Sequence, residues 1–323
     1  MRRVRIGSME LLLVVLVAFA VTGGIVSAFI AGRAKLSVAA TVFCGVFVQA
    51  LPFLVLGVVV SGLVAAFVTP DRLARWLPRR GGAAILVAGI GGAALPGCEC
   101  GSVPIARRLF DGASGAAALT FMLSAPAINP VVLVATSVAF PGEPRMVLAR
   151  LIGSLLTAVV MGALWLRWGR ADWVTRRLPK THDANASRWT VFTEAARHDF
   201  LTAASYLVLG AAAAAALRVL LPPWVFEHLA GHVVLAVVMM ALLAVVLALC
   251  SEADAFVAAS LTAIPLLPKL VFLVVGPAVD VKLFAMQAGM FGRRFAIRFA
   301  PATFVVATLV ATAVGLLVLG GAR

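Results

Sequence analysis

Apolar stretches long enough to cross a bilayer recur from one end of the chain to the other, and this limits the fold more than any other feature of the sequence. Windows at 9–30, 42–68, 112–139, 145–166, 201–221, 233–250 and 300–320 are almost wholly apolar. Each holds about 20 residues, enough to span about 30 Å as a helix. Apolar residues make up 63% of the 323 and charged residues only 12%, more hydrocarbon than one soluble core of this size can bury. A bilayer accepts greasy outer faces, provided that backbone groups hydrogen-bond within helices. Short apolar/polar alternation, the mark of a β-barrel, is absent. The sequence predicts an all-α polytopic membrane protein.

The first residues, Met1-Arg2-Arg3-Val4-Arg5, precede a long apolar run. That run is longer than a signal-peptide core and further spans follow it, so an uncleaved first helix is expected. The net charge of +14 resides in loops beside the spans, as the positive-inside rule requires of cytoplasmic loops. Arg72, Arg75, Arg79 and Arg80 form one group. The polar stretch 167–199, with Arg167, Arg170, Arg176, Arg177, Lys180, Arg188 and Arg197, forms another. This pattern signals topology and anionic-lipid contact rather than nucleic-acid binding. The four cysteines, Cys44, Cys98, Cys100 and Cys250, lie in or beside apolar segments and build no disulfide scaffold.

Three short motifs occur twice in the same order. Phe53-Leu54-Val55-Leu56-Gly57 returns as Tyr206-Leu207-Val208-Leu209-Gly210, and Cys98-Glu99-Cys100 as Cys250-Ser251-Glu252-Ala253-Asp254. Ala125-Pro126-Ala127-Ile128-Asn129 returns as Gly276-Pro277-Ala278-Val279-Asp280. A near-constant offset of about 150 residues points to internal duplication. The expected organisation is a leading membrane helix over 1–36, a first membrane repeat over 37–166, a basic cytoplasmic linker over 167–199 and a second repeat over 200–323. Arg79 and Arg80 before segment 82–109, with Arg107 and Arg108 near its end, put both of its ends on the cytoplasmic side. The segment then reads as a re-entrant hairpin with its tip at Leu95–Gly101, where proline and glycine break the helix. The second half starts from the other face, with a second tip over Cys250–Asp254, so the repeats are expected to be inverted. About ten full crossings with parallel halves satisfy the hydropathy nearly as well.

Several residues in these segments carry chemistry. Thiolates are soft ligands for Cu(I), Zn(II) or As(III). The spacing of Cys98 and Cys100 sends their side chains about 200° apart on a helix, so they converge only in a bent loop; small thiols packed in a tight turn are the plain alternative. Cys250 stands at the matching place in the second half. Glu99, Glu252, Asp254 and Asp280 lie within apolar surroundings, where each costs about 2.5–3.5 kcal/mol at mid-membrane. Acids kept at that cost carry protons, bind cations or pair with a base, and Lys282 is near enough in sequence to neutralise a neighbouring acid. Pro126, Pro130 and Pro277 interrupt helical runs beside Asn129 and Asp280. Breaks in matching places of two halves point to a transport site, although simple kinks would look the same. Cys44 reads as a small packed side chain. Glu227, His228 and His232 form a weaker metal candidate on the expected outer face. No phosphate-binding, dinucleotide or zinc-protease motif occurs, and no cofactor is called for.

Leu95-Pro96-Gly97-Cys98-Glu99-Cys100-Gly101-Ser102-Val103-Pro104-Ile105-Ala106-Arg107-Arg108-Leu109 resembles the signature of predicted permeases that include the ArsP organoarsenical efflux permeases. Phe121 to Pro130, Cys250 to Phe256 and Gly276 to Lys282 extend the resemblance, which covers roughly residues 40–320. It implies a permease with about eight membrane segments and a polar central loop. Characterised relatives are associated with efflux of trivalent organoarsenicals or with copper and zinc handling. Many of those relatives have Cys-Ser-Cys where this chain has Cys98-Glu99-Cys100, and the added carboxylate tilts the site toward a cation such as Zn(II).

The expected function is secondary efflux of a soft metal ion or metalloid across the bacterial plasma membrane. Cys98, Cys100 and Cys250 would be metal ligands, and Glu99, Asn129, Glu252, Asp254 and Asp280 would complete the substrate site. Protons are candidate coupling ions, and a homo-oligomer or a soluble partner is compatible with the sequence. A membrane thiol–disulfide oxidoreductase and a membrane subunit of a larger complex are the competing readings.

Overall fold

A computed structural model describes residues 34–67, 81–94, 99–112, 114–174, 187–220, 233–251, 253–261 and 264–320. The expected first helix, Cys98, Glu252, and the trio Glu227, His228 and His232 lie outside the described residues, as does the side chain of Cys100.

The first series of helices is α1 (Ala34–Phe67), α2 (Gly81–Gly91), α3 (Glu99–Gly112), α4 (Gly115–Ile128), α5 (Pro130–Ala139) and α6 (Pro144–Trp168). The second is α7 (Arg188–Leu220), α8 (Val233–Leu247), α9 (Asp254–Ser260), α10 (Leu266–Ala278), α11 (Val281–Met290) and α12 (Arg293–Val318). The order is the same in both: a long helix, two short ones, a span broken in the middle, and a long closing helix. Helix α7 begins inside the stretch 167–199. Among the described residues, four segments are long and apolar enough to cross a membrane: Gly115–Ala139, Pro144–Trp168, Leu266–Met290 and Arg293–Val318. The 11 residues of α2 rise only about 16 Å, half of the hydrocarbon thickness.

The two broken spans form the centre. Their apolar windows are 78% and 83% buried, against 44% for α6 and 28% for α12. Helix α4 packs on α2, α3 and α6, and α10 on α8, α9 and α12. The halves meet where α1 lies along α7, α6 along α12 and α3 against α11.

Both broken spans close in the same way. Phe140 caps α5 and Phe291 caps α11, and each is followed by a glycine with positive φ, Gly142 at 86° and Gly292 at 103°. Side chains rarely adopt that backbone conformation, so glycine lets the chain turn sharply into the next long helix. At one end of the bundle Phe291, Phe295 and Phe299 stack along α12, with Trp165 edge-on to Phe295 and Phe299. Arg107 lies over the Phe291 ring and donates from Nε to the Met290 carbonyl at 2.9 Å. Arg108 pairs with Asp199 of α7 at 3.1 Å. These arginines, which lie within α3 and not in a loop, are structural ties.

Candidate functional site

Helix α3 is fixed at its start by Ser102, whose hydroxyl donates to the Glu99 carbonyl (3.1 Å) and to the Met122 carbonyl on α4 (3.2 Å). It also crosses α1 in backbone contact. A Cβ on Gly57 would collide with the Cα and carbonyl oxygen of Gly101, so position 57 requires glycine. This crossing gives a physical reason for glycine at the end of the Phe53–Gly57 motif.

Glu99, in the first turn of α3, is fully buried. Its Oε1 accepts from Lys282 Nζ at 2.5 Å, while among the described residues its Oε2 has no hydrogen-bond donor. Lys282 is the second residue of α11 and is equally buried. Asp280 caps that helix: its Oδ1 accepts from the Leu283 N–H, and its Oδ2 lies 3.7 Å from Lys282 Nζ. Cys250 Sγ is 4.0 Å from the same ammonium. Two carboxylates and a thiol therefore surround one amine, with Glu99 from the first series of helices and the rest from the second.

The tip that carries Cys250 follows α8. Ala248 takes a positive φ of 47°, unusual for a residue with a side chain. The Cys250 carbonyl then accepts from Ala253 N–H (2.9 Å) and Asp254 N–H (3.0 Å) to start α9. Asp254 meets Arg150 of α6, with Arg150 NH2 at 2.8 Å from Oδ2. The guanidinium also donates to the Ser251 carbonyl (2.9 Å) and to Thr136 Oγ1 on α5 (2.8 Å). Arg150 is fully buried within a membrane-spanning helix. Sequence reasoning missed it, although an arginine inside an otherwise apolar window is itself a signal for a buried acid.

Asn129 sits at the break of the first broken span. Its Oδ1 accepts from Val132 N–H (2.9 Å) and its amide donates to the Ala125 carbonyl (3.3 Å), bridging the break between α4 and α5. Of the residues expected to form the site, the structure gathers Glu99, Asp280 and Cys250. It pairs Asp254 elsewhere and gives Asn129 a capping role. Cys44, expected to be packed, is exposed on α1. Among the described residues, no three His, Cys, Asp or Glu side chains close on a point that could hold a metal ion. At Glu99, Asp280 and Cys250 the amine occupies the middle.

The sequence matches the ArsP predicted-permease family over residues 35–316. The chain belongs to that family. It is 32% identical over 285 residues to a Streptococcus mutans protein named "Putative two-component membrane permease complex subunit", covering 85% of this chain and 94% of the relative. It is 33% identical over 279 residues to the Bacillus subtilis UPF0718 protein YcgR, covering 84% and 94%. No solved structure matches the chain. This permease-family protein is a multi-pass, all-helical membrane protein, and the buried charges it shares between its two series of helices lie in and beside its broken spans.

Proposed function

We propose that the protein is a secondary permease exporting a soft metal ion or metalloid species of the zinc, copper and arsenic class. Its site lies between two inverted repeats, at the tips of two half-membrane hairpins. The observation that carries this reading is the buried cluster of Glu99, Asp280 and Cys250 around Lys282. Carboxylates and a thiol kept away from water at the break of a central span are costly unless they handle a cation or a proton. Cys98 and Cys100 flank Glu99 in sequence and would add soft donors on the first side. Glu252 would add an acid on the second, while Asp254 supplies the counter-charge for Arg150. Proton or substrate gradients would drive transport, coupled through ligand protonation.

A deletion strain challenged with zinc, copper, arsenite and methylarsenite tests the substrate class. Loss of tolerance to at least one of them, reproduced by Cys98→Ser with Cys100→Ser and by Cys250→Ser at normal protein level, is expected. Unchanged tolerance and cellular content across the panel would remove this class of cargo. Single cysteines placed near Arg79 and near Arg107, probed with an impermeant maleimide, test the hairpin. Labelling from opposite sides would make segment 82–109 a full crossing and overturn the inverted arrangement.

A second reading has one observation in its favour, the name of the Streptococcus mutans relative as a complex subunit. Under it the chain is the membrane subunit of a two-component assembly, with the basic stretch 167–199 as the contact for its partner. Affinity purification from native membranes decides it. A stoichiometric second protein lost on charge reversal in 167–199 supports the complex, and a lone permease that still confers tolerance refutes it.

A further inference from the structure

We propose that Lys282 is a tethered competitor for the pocket formed by Glu99, Asp280 and Cys250. A soft cation binds there by expelling the ammonium from between the carboxylates. The inference rests on the cation-permease reading above and adds how the site is kept closed and reset.

Three observations carry it. The first is occupancy: Lys282 Nζ stands 2.5 Å from Glu99 Oε1, 3.7 Å from Asp280 Oδ2 and 4.0 Å from Cys250 Sγ. The amine is a point charge in the middle of a mixed oxygen and sulfur donor set, where a metal ion would make its own bonds at about 2.0–2.3 Å.

The second is incomplete satisfaction. Among the described residues, Glu99 Oε2 and Asp280 Oδ2 have no hydrogen-bond donor although both residues are fully buried. Asp254 Oδ1 beside Arg150 is left open in the same way, but there the charge is a guanidinium fork held by three partners, whereas here it is a single ammonium on a flexible stem. A small cation approached by both carboxylates would satisfy what the ammonium does not.

The third is placement on the helix. Asp280 is the N-cap of α11 and suits the positive end of the helix dipole, but Lys282 sits in the same first turn, where a cation is disfavoured. Its position is therefore explained by the two acids and not by the helix. The four-carbon stem of lysine is flexible and its three N–H donors rotate freely, so the head can leave without unwinding α11. Once it has left, Asp280 and Cys250 can close on the bound ion. When the ion departs, the amine returns and neutralises the acids, so that the empty site is not left as a trap.

The test uses the full chain purified in detergent and Cd(II) as the probe, a thiophilic divalent cation that accepts both oxygen and sulfur ligands. By titration calorimetry, Lys282→Met should bind Cd(II) at least about tenfold more tightly than wild type, which by the relation of affinity to free energy is about 1.4 kcal/mol. Adding Cys250→Ser should abolish the gain. Equal or weaker binding by folded Lys282→Met would overturn the proposal, because a purely structural lysine lowers stability without freeing a site.

Where Lys282→Met alone fails to fold, Glu99→Gln is compared with Glu99→Gln plus Lys282→Met, which removes base and acid together. The double variant should bind more tightly than the single one, and the reverse order would overturn the idea. The two readings fail separately. Wild-type tolerance with no gain in Lys282→Met refutes the competitor alone. A gain in Lys282→Met without any tolerance phenotype refutes metal export and leaves the pocket standing.

Discussion

Glu99 and Asp254 stand at the same place in the two series of helices, each in the first turn of the short helix that follows a cysteine-bearing tip. Each is met by a base from the other series, but the bases differ and so does the fit. Asp254 meets a guanidinium, which also donates to Thr136 Oγ1 and the Ser251 carbonyl. A planar fork with several donors grips three elements in one geometry. Glu99 meets an ammonium that it shares with Asp280 at longer range. The two acids stand at the starts of α3 and α9, while the two bases lie on α11 and α6. We read the Arg150 pair as a clamp and the Lys282 cluster as the exchangeable site.

The largest effect should follow from stranding the clamp. Asp254→Asn leaves Arg150 buried with no carboxylate, and a guanidinium does not escape by losing its proton. Breaking such a pair costs about 3–5 kcal/mol, so the melting midpoint in detergent should fall steeply. With Arg150 at 2.8 Å, the substitution does more than remove a buried charge. Glu99→Gln should cost far less, because Lys282 retains Asp280. Equal losses from the two would erase the distinction. Arg150→Leu with Asp254→Leu should regain most of the stability, as buried pairs replaced together usually do.

A second contrast concerns two glycines, one packed against the helix that carries Glu99 and one beside Asp254. Gly57→Ala drives a methyl into the Gly101 backbone and pushes α1 away from the helix that carries Glu99. Such overpacking costs about 1–3 kcal/mol, and Lys282 would lose register with Glu99. Gly276→Ala places its methyl 3.8 Å from Asp254 Oδ2 and 3.9 Å from the Ala244 Cβ, which is ordinary contact. It should leave the melting midpoint almost unchanged. A large loss in Gly276→Ala would mean that the clamp, too, depends on a backbone approach.

How much of this was legible in the sequence follows from the range of each signal. Helical class and the two breaks are local properties of apolar windows, prolines and capping residues, and they were readable. Lys282 could be named as a neutraliser because it lies two positions from an acid. Its stronger partner, Glu99, is 183 residues away, and no local pattern joins them. Arg150 passed unnoticed because one charge barely lowers the hydropathy of a 25-residue span. The span Leu266–Met290 was absent from the hydropathy windows for the opposite reason: Lys269, Asp280 and Lys282 dilute it, yet all three are buried among helices. Hydropathy measures contact with lipid, and a central span has little of it.

The smallest expected change in stability, and the sharpest functional contrast, comes from the two breaks themselves. Asn129 and Asp280 cap the second helix of each broken span through the same bond, side-chain oxygen to the N–H three residues on. Asn129→Ala removes that cap and should cost about 1 kcal/mol, with transport little affected, since it removes no charge. Asp280→Asn should be nearly neutral for stability, because asparagine caps as well as aspartate and Lys282 keeps Glu99. It removes one of the two charges that would hold a cation, however, and should abolish metal tolerance at normal protein level. Melting curves and tolerance assays on the two variants therefore should move in opposite order. If Asn129→Ala abolishes tolerance while Asp280→Asn retains it, the cargo is held at the first break and the cluster around Lys282 is a structural tie like the Arg150 clamp.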